Sequence, residues 1–150
     1  MAEPATPAEP ATPAKLTHLA PKPTPETQPF WDGTKRHELL LPRCKGCGQC
    51  HFYPRAICPF CWSKDLEWIK ASGKGKLHTF SIPQRPVLGI PVPFIAAIVA
   101  LAEGPRMATN IVGVDPDPQN LRCDMDVEVV FEDLTETITL PKFQLVTSAE

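Results

Sequence analysis

The paired cysteines constrain this chain more than any other feature. Four of its six cysteines form two Cys-x-x-Cys pairs, Cys44/Cys47 and Cys58/Cys61, which ten residues separate. Zinc binds four soft ligands at the corners of a tetrahedron, about 2.3 Å from each sulfur. One Cys-x-x-Cys turn supplies two thiolates, and a second turn brought back by a short hairpin supplies the other two. The spacing therefore predicts a zinc ribbon whose Zn2+ is structural, because four thiolates leave no open position for water or substrate.

Three other interpretations of the cysteines are open at this point. Disulfides need an oxidising compartment, and the N-terminus shows no basic and apolar export signal. A redox dithiol accounts for one Cys-x-x-Cys pair, but two adjacent pairs favour a metal. The run Cys47-Gly48-Gln49-Cys50-His51 matches the signature for covalent haem attachment, but this assignment would leave Cys44 and the second pair unused.

Cys50 and His51 are left over in the zinc-ribbon interpretation. Both are expected to line the hairpin between the two turns. The alternative is that Cys50 replaces Cys47 as a ligand and that His51 is a ligand or an outer group. A zinc ion with four thiolates has a net charge of about −2, which outer groups often offset. The basic residues close in sequence are candidates for this role: Arg43, Lys45, Arg55 and Lys64.

The charge and composition weigh against several classes of function. The net charge of −2 weakens nucleic-acid binding, which usually shows an excess of basic residues. No apolar run approaches the roughly twenty residues of a membrane span. With reduced cysteines and no export signal, the chain is expected in the cytoplasm.

The N-terminal region is rich in proline and alanine. Proline fixes φ and removes a backbone donor, so neither helix nor sheet is favoured there, and residues 1–29 are expected to form a disordered tail. Residues 30–42 then form a helical or docking segment, with a short helix over 28–37. Phe30 and Trp31 open it, and such large aromatics need a surface to bury against. They either cap the domain's own core or anchor a partner protein.

The rest of the chain has strand patterns and almost no helix. Residues 94–102 form a continuous apolar run with the length of a fully buried strand, and residues 76–82 alternate. The alternation places Leu77, Thr79 and Ser81 on one face and His78, Phe80 and Ile82 on the other. Strands are expected over 38–43, 65–71, 76–82, 94–102, 106–114, 126–132 and 135–140.

These elements predict a mainly β protein with a ribbon followed by a small barrel. Five short strands with Gly and Pro turns suit a closed barrel of the OB type, or a small sandwich. The expected division is a zinc ribbon over residues 43–70, an OB-fold domain over 71–143 and a C-terminal tail over 144–150.

No catalytic motif is recognisable, since the chain has no nucleophile elbow, phosphate loop or paired-carboxylate pattern. The long loop over residues 83–93 has an apolar tip with Val87, Leu88 and Ile90. Exposed apolar loops often mark interfaces, so this tip either contacts a partner or folds onto its own barrel. Coenzyme A phosphates would attract basic side chains, and the candidates are Lys74, Lys76, Arg85 and Arg106.

The order of these motifs resembles one family, the zinc-ribbon plus OB-fold proteins found beside thiolase-like enzymes and long catalogued as a domain of unknown function. The resemblance covers residues 30–143. One departure is Asp124, where the family often has glycine; Cys123 beside it is expected to be an isolated, partly buried thiol and not a ligand. The matching residues are Phe30-Trp31, Leu41-x-Arg43-Cys44-x-x-Cys47-Gly48, Pro54-Arg55, Cys58-Pro59-x-Cys61, Leu66-Glu67-Trp68, Ser72-Gly73-x-Gly75-x-Leu77, Pro93-Phe94, Glu103-Gly104-Pro105-Arg106, Asn110-Ile111-Val112-Gly113 and Met125-x-Val127 to Phe131.

This resemblance implies an accessory subunit without catalytic residues of its own. It implies a thiolase-like catalytic partner, expected in a heterotetramer, with a CoA thioester bound at or near the shared interface. Related complexes carry out thiolysis, Claisen condensation or retro-aldol cleavage. The settings it implies are an aromatic thiolase of the benzoylsuccinyl-CoA type, a steroid side-chain retro-aldolase, or an archaeal acetoacetyl-CoA/HMG-CoA complex.

Two other classes of function stay open. An OB-fold can hold single-stranded nucleic acid in a basic groove with stacking aromatics, which the acidic balance disfavours. A free-standing CoA-binding protein is the other alternative, and it would bind CoA without a partner.

Overall fold

The computed structural model describes residues 17–86 and 88–146. The expected tail over residues 1–16, the loop residue Val87 and residues 147–150 lie outside this range. Residues 17–19 form a single 3-10 turn, and an irregular segment leads from it to the first helix. In the described part of the chain, no helix has the length and apolar character needed to cross a membrane.

Helix α1 spans Gln28–Lys35, close to the predicted range. Pro29 stands in its first turn, where a missing N–H is harmless. Gly33 lets the chain fold back closely, because a Cβ there would lie 2.7 Å from Cγ of Leu40. Phe30 and Trp31 are 1% and 6% exposed and form an edge-to-face pair at 4.9 Å. This burial supports the interpretation that the pair caps the domain's own core.

The ribbon sheet has two short antiparallel strands, β1 (Leu40–Cys44) and β2 (Leu66–Lys70). Their register joins Leu40 to Lys70 and Cys44 to Leu66, so the first cysteine ends β1 directly opposite the start of β2. Leu41 is fully buried and belongs to the same core cluster as the barrel residues. The ribbon is therefore packed against the rest of the molecule.

Five further strands form a closed barrel, in the order β3-β4-β5-β7-β6. The pair β5–β7 is parallel, and the others are antiparallel. The last two strands are exchanged relative to chain order, as in an OB fold. The predicted mainly β architecture, with a ribbon followed by a five-stranded OB barrel, is thus confirmed. The bounds are β3 Lys74–Ser81, β4 Ile95–Leu101, β5 Arg106–Val112, β6 Asp126–Asp133 and β7 Thr139–Leu145, with a 3-10 turn at Pro118–Asn120.

The barrel interior is filled by apolar side chains from all five strands, including Leu77, Val99, Ile111, Val127 and Phe143. The interpretation of residues 94–102 as a fully buried strand is wrong. Burial alternates along β4 instead, and its outward residue Ile98 is 37% exposed. The reason is the barrel, which turns only one face of each strand inward and leaves the other as its outer wall.

The predicted alternation in β3 is also wrong. The register with β4 shifts between Leu77 and Thr79, which marks a β-bulge around His78. A bulge inserts one extra residue and changes which side chains face inward. Leu77 is fully buried and Phe80 packs against the same core, although these positions are three apart.

The last strand lies further along the chain than predicted. Residues 134–138 form a tight loop in which Leu134 and Thr135 donate backbone N–H groups to the Ile138 carbonyl. β7 then runs through Pro141, which was expected to end it. A proline is tolerated here because the pairing with β5 begins only at Phe143, so one side of the strand is still unpaired at Pro141.

We expect Phe143→Ala to destabilise the barrel strongly. Phe143 is fully buried and lies opposite both Ile111 on β5 and Val129 on β6. Truncating a buried phenylalanine leaves a cavity and costs about 3–5 kcal/mol. Denaturant unfolding monitored by fluorescence measures this loss. The matched control Val146→Ala, at a residue 43% exposed, should change the free energy of unfolding by less than about 0.5 kcal/mol.

Candidate metal centre

The first cysteine turn begins where β1 ends. Gly48 donates its backbone N–H to the Cys44 carbonyl at 2.8 Å, and Cys44 donates to Gln49 at 2.9 Å. Gly48 has a φ of 76°, a left-handed conformation that glycine adopts without cost. These bonds hold Cys44 and Cys47 on one side of a tight turn, which we call the first knuckle (residues 44–49).

The second turn repeats this geometry. Trp62 donates its backbone N–H to the Cys58 carbonyl at 3.0 Å, and Cys58 donates to Ser63 at 2.9 Å. We call residues 58–63 the second knuckle. In both knuckles the first cysteine is buried and the second is exposed at the surface.

The two knuckles bring four sulfur atoms together. The Sγ atoms of Cys44, Cys47, Cys58 and Cys61 all lie within 4.8 Å of one another. Two of the distances are 3.5 Å (Cys44 to Cys61) and 3.7 Å (Cys47 to Cys58). A tetrahedron with about 2.3 Å from centre to sulfur has edges of about 3.8 Å. The donor set therefore fits Zn2+ in its chemistry and spacing. All six cysteines are free thiols.

The electrostatics of this cluster favour a bound cation. Hydrogen bonding from the Cys47 backbone, helped by the Cys61 thiol and the Gly46 backbone, lowers the pKa of Cys44 to about 6. The Ser63 backbone also lowers the pKa of Cys61, but the other thiols and burial outweigh it and raise that pKa to about 12. Ionising one thiol thus opposes ionisation of its neighbours. A divalent cation offsets this repulsion between thiolates, and the thiolate is the form of cysteine that binds zinc.

Cys50 and His51 lie outside the four-thiol cluster. Cys50 faces Arg43 in an isolated β-bridge, and partial burial raises the pKa of its thiol. His51 is 3% exposed, and burial lowers the pKa of its imidazole. Neither ring nitrogen has a hydrogen-bonded partner among the described residues, and the nearby Arg55 backbone acts against the lowering of the pKa without reversing it. This placement supports the view that both residues line the hairpin.

The basic residues predicted to offset the zinc charge divide into two groups. Arg43 donates to Glu67 at 2.7 Å, and Lys45 lies 3.7 Å from Asp65, so both have carboxylate partners within the ribbon. Arg55 and Lys64 form no ion pair with any residue of 17–86 or 88–146. Neither side chain therefore has a carboxylate of the described chain at ion-pair distance.

Three of the four residues predicted to bind CoA lie close together on the barrel. Lys76 on β3 lies opposite Ala100 on β4, and Ala100 lies opposite Arg106 on β5. Lys76 and Arg106 therefore share one row across the outer face of the barrel. Lys74 is two positions before Lys76 on the same strand. Arg85 follows the other end of β3. Acidic partners weaken the patch: Lys76 lies 2.8 Å from Asp126, which raises the lysine pKa, and Glu128 lies opposite Lys74.

The loop predicted to contact a partner is partly exposed. Leu88 is 69% exposed, whereas Ile90 lines a cavity of about 530 Å3 against the barrel. Val87 lies outside the described residues. Leu19 and Pro21 line the same cavity, although sequence reasoning had placed them in a disordered tail. Their hydrophobic character was the signal available in the sequence.

Comparisons with known proteins match this architecture. Residues 31–67 match the family model described as "ChsH2, rubredoxin-like zinc ribbon domain". Residues 68–132 match the model described as "ChsH2, C-terminal OB-fold domain". The two models together cover the ribbon and most of the barrel.

Three relatives illustrate the range of named proteins. The chain is 38% identical over 105 residues to a DUF35 domain-containing scaffold protein of Methanothermobacter thermautotrophicus, covering 68% of this chain and 77% of that one. It is 34% identical over 87 residues to the benzoylsuccinyl-CoA thiolase subunit BbsA of Thauera aromatica, covering 58% of each. It is 31% identical over 117 residues to a probable enoyl-CoA hydratase alpha subunit of Thermomonospora curvata, covering 77% of this chain but only 36% of that protein.

A solved structure shows the same arrangement. A chain of the Ltp2-ChsH2(DUF35) aldolase superposes with a TM-score of 0.74 at 27% identity, covering 83% of this chain and 98% of that chain. The similarity spans both the ribbon and the barrel, so the two units occur together in that complex.

We expect the purified chain to contain one zinc ion per molecule and Cys58→Ser to lose it. Cys58 is the buried first ligand of the second knuckle. Because metal binding contributes directly to folding, losing a tightly bound ion should cost about 4 kcal/mol or more and lower Tm by about 15 °C or more. Elemental analysis and thermal melting measure both effects. The control Cys123→Ser alters a thiol that lies outside the cluster and is exposed, not partly buried as predicted, so it should change neither; a zinc-free wild type would contradict the assignment.

Proposed function

The chain belongs to the ChsH2-type family of zinc-ribbon and OB-fold proteins, and on that premise we propose that it is a non-catalytic accessory subunit of a thiolase-type enzyme. The enzyme acts on acyl-CoA thioesters by carbon–carbon bond cleavage or Claisen condensation. The observation that carries this proposal is the closed four-thiol centre. Zn2+ held by four thiolates has no open position, so it braces the fold and takes no part in bond cleavage.

The described histidines support a non-catalytic role, because they do not share a site. His37 stacks on Phe131 at 5.2 Å, and His51 is buried without a hydrogen-bonded partner. His18 and His78 are exposed in separate elements. Among these histidines, His37 has a carboxylate beside it, Asp133 at 3.4 Å, but both side chains are open to solvent and form no enclosed site that would orient a base on a substrate. The catalytic residues therefore belong to the partner chain.

The names of the relatives support an acyl-CoA complex. One is a subunit of benzoylsuccinyl-CoA thiolase, and another similar structure is an aldolase. We favour an aromatic acyl-CoA such as benzoylsuccinyl-CoA as the substrate class, and a heterotetramer with the catalytic subunit as the assembly. The alternatives are a steroid side-chain retro-aldolase, supported by the aldolase similarity, and an archaeal acetoacetyl-CoA/HMG-CoA complex, supported by the scaffold proteins. The complex is expected in the cytoplasm, where thiols stay reduced.

The structure supports one part of the proposed CoA contact more than the rest. Lys74, Lys76 and Arg106 lie near one another on the barrel wall, so they are able to contact the phosphates of one CoA molecule. The nearby carboxylate of Asp126 makes this site weak without a partner. We therefore place the CoA thioester at the shared interface, where the partner supplies further contacts.

The isolated chain should show no thiolysis or aldol cleavage, and activity should require its catalytic partner. The test is to purify a tagged chain from its native cells, identify a thiolase-fold protein that accompanies it by mass spectrometry, and produce the two together. Coupled assays of CoA release or consumption then compare the lone chain with the complex. Robust turnover by the lone chain, or absence of any thiolase-fold partner, would contradict the proposal.

Calorimetry with CoA separates this proposal from a free-standing CoA-binding protein. The lone chain should show no measurable heat of binding, whereas the complex should bind CoA. In the complex, the double substitution Lys76→Ala and Arg106→Ala should raise KM for CoA and leave kcat unchanged, because it removes charges that contact only the bound cofactor. Tight CoA binding by the lone chain would favour the alternative.

We expect Leu88→Ser to weaken the complex by about tenfold or more. Leu88 is 69% exposed at the tip of the loop, and truncating a buried interface leucine removes apolar contact worth about 1.4 kcal/mol or more. Size-exclusion chromatography and binding kinetics of the reconstituted complex measure the change. Phe30 and Trp31 were also predicted to contact the partner, but both are buried, so in this proposal they act by supporting the ribbon from within.

A further inference from the structure

The second knuckle presents large apolar side chains to solvent. Trp62 is 79% exposed, Phe60 is 55% exposed, and Ile57, just before the knuckle, is 38% exposed. Of the large hydrophobic residues in the described chain, Trp62 has the highest exposure. Exposed apolar groups that cluster in one place mark interaction sites more often than scattered ones do. We call Ile57, Phe60 and Trp62 the knuckle tip.

The first knuckle serves as an internal comparison. The two turns have the same ligand spacing and the same backbone hydrogen bond, so their positions correspond one to one. At the position of Phe60 the first knuckle has Gly46, and at the position of Trp62 it has Gly48. The fold of the knuckle therefore needs no side chain at either position. Metal binding alone does not explain the two aromatics.

The backbone at Trp62 has a conformation that favours glycine, as at Gly48 in the first knuckle. Its φ is 63° and that of Gly48 is 76°, so both residues adopt the left-handed region. This region is strained for a residue with a bulky side chain and free of strain for glycine. A tryptophan here is unfavourable for the backbone and leaves its indole in water. Strained residues of this kind persist mainly at functional sites.

The knuckle tip has the properties of an interface anchor. Aromatic side chains have large contact areas and few rotatable bonds, and tryptophan is enriched among residues that dominate binding energy. Two of the tip residues flank the ligand Cys61, so the bound metal would hold them rigidly and little conformational entropy would be lost on binding.

The charges around the tip indicate the chemistry of the partner. Arg55 precedes the tip and Lys64 follows it, and neither forms an ion pair within the described residues. An apolar segment that has a cation without an ion pair on each side of it in the sequence is complementary to an apolar pocket with carboxylates around it. A second copy of the tip would oppose cation to cation. The net charge of −2 disfavours nucleic acid.

We propose that the knuckle tip inserts into an apolar, acid-rimmed pocket of the catalytic subunit, with Trp62 as the anchor residue. This inference rests on the proposed function and names the surface that mediates it. Zinc then has a second consequence, because the metal that closes the ribbon also fixes the anchor.

The substitution Trp62→Gly tests the anchor with the reconstituted complex. It gives the second knuckle the residue that the first knuckle already has. The lone variant should keep one zinc per chain and melt at the same temperature as wild type or higher, because glycine relieves the strain. Its affinity for the catalytic subunit should fall by about 30-fold or more, as for a dominant interface residue. Surface plasmon resonance measures the affinity. Iodide quenching of tryptophan emission is a second readout, because the partner should reduce the quenching in wild type and not in the variant.

Two further variants keep the test decisive. Phe60→Ala should also weaken binding, and Trp62→Asn retains a residue that tolerates the left-handed conformation if glycine impairs folding. The control Ile98→Ala removes an exposed apolar side chain from the barrel wall and should leave the affinity unchanged. Full affinity of the folded Trp62 variants would overturn the proposal. If those variants also melted at a lower temperature than wild type, the role of Trp62 would be structural.

The outcomes also separate this inference from the proposed function. If the wild-type chain binds no thiolase-fold protein, the proposed function fails and the inference falls with it. If wild type binds and the Trp62 variants bind equally well, only the inference fails. Loss of single-stranded oligonucleotide binding in Trp62→Gly, with the protein complex intact, would assign the tip to nucleic acid instead.

Discussion

Mutual repulsion among four thiolates is the constraint on which the ribbon depends. The sulfur atoms lie within 4.8 Å of one another, so the anionic forms of all four are stable together only around a cation. The ribbon packs against the barrel, but its own secondary structure is small. Its sheet has two strands of five residues each, and an isolated two-stranded sheet is marginal in water. A metal that joins both knuckles supplies the missing cross-link.

The ribbon and the barrel share one hydrophobic core through helix α1. Phe30 contacts Trp31 at 4.9 Å, Phe52 at 5.6 Å and Tyr53 at 6.3 Å, and the same buried cluster continues into the barrel. These contacts tie the segment between the knuckles to the helix. Direct packing therefore joins the segment between the knuckles to the barrel.

The sequence predicted the elements whose signal is local and missed those that depend on tertiary context. The spacing of Cys44, Cys47, Cys58 and Cys61 was sufficient to predict a four-thiol cluster, because ligand geometry fixes that spacing. The bulge near His78 was not predictable, because it depends on pairing with β4. The apolar run of β4 looked fully buried, since periodicity cannot show that a barrel exposes one face. Pro141 suggested a strand end, because sequence alone does not show which side of β7 is unpaired.

The insertion of β7 between β5 and β6 has a consequence for synthesis of the protein. β7 is the last barrel strand in chain order, so the barrel wall stays open until residue 145 has left the ribosome. The ribbon is complete by Lys70 and is free to take up its metal while the rest is still being translated. The nascent chain thus completes both cysteine knuckles before its barrel can close.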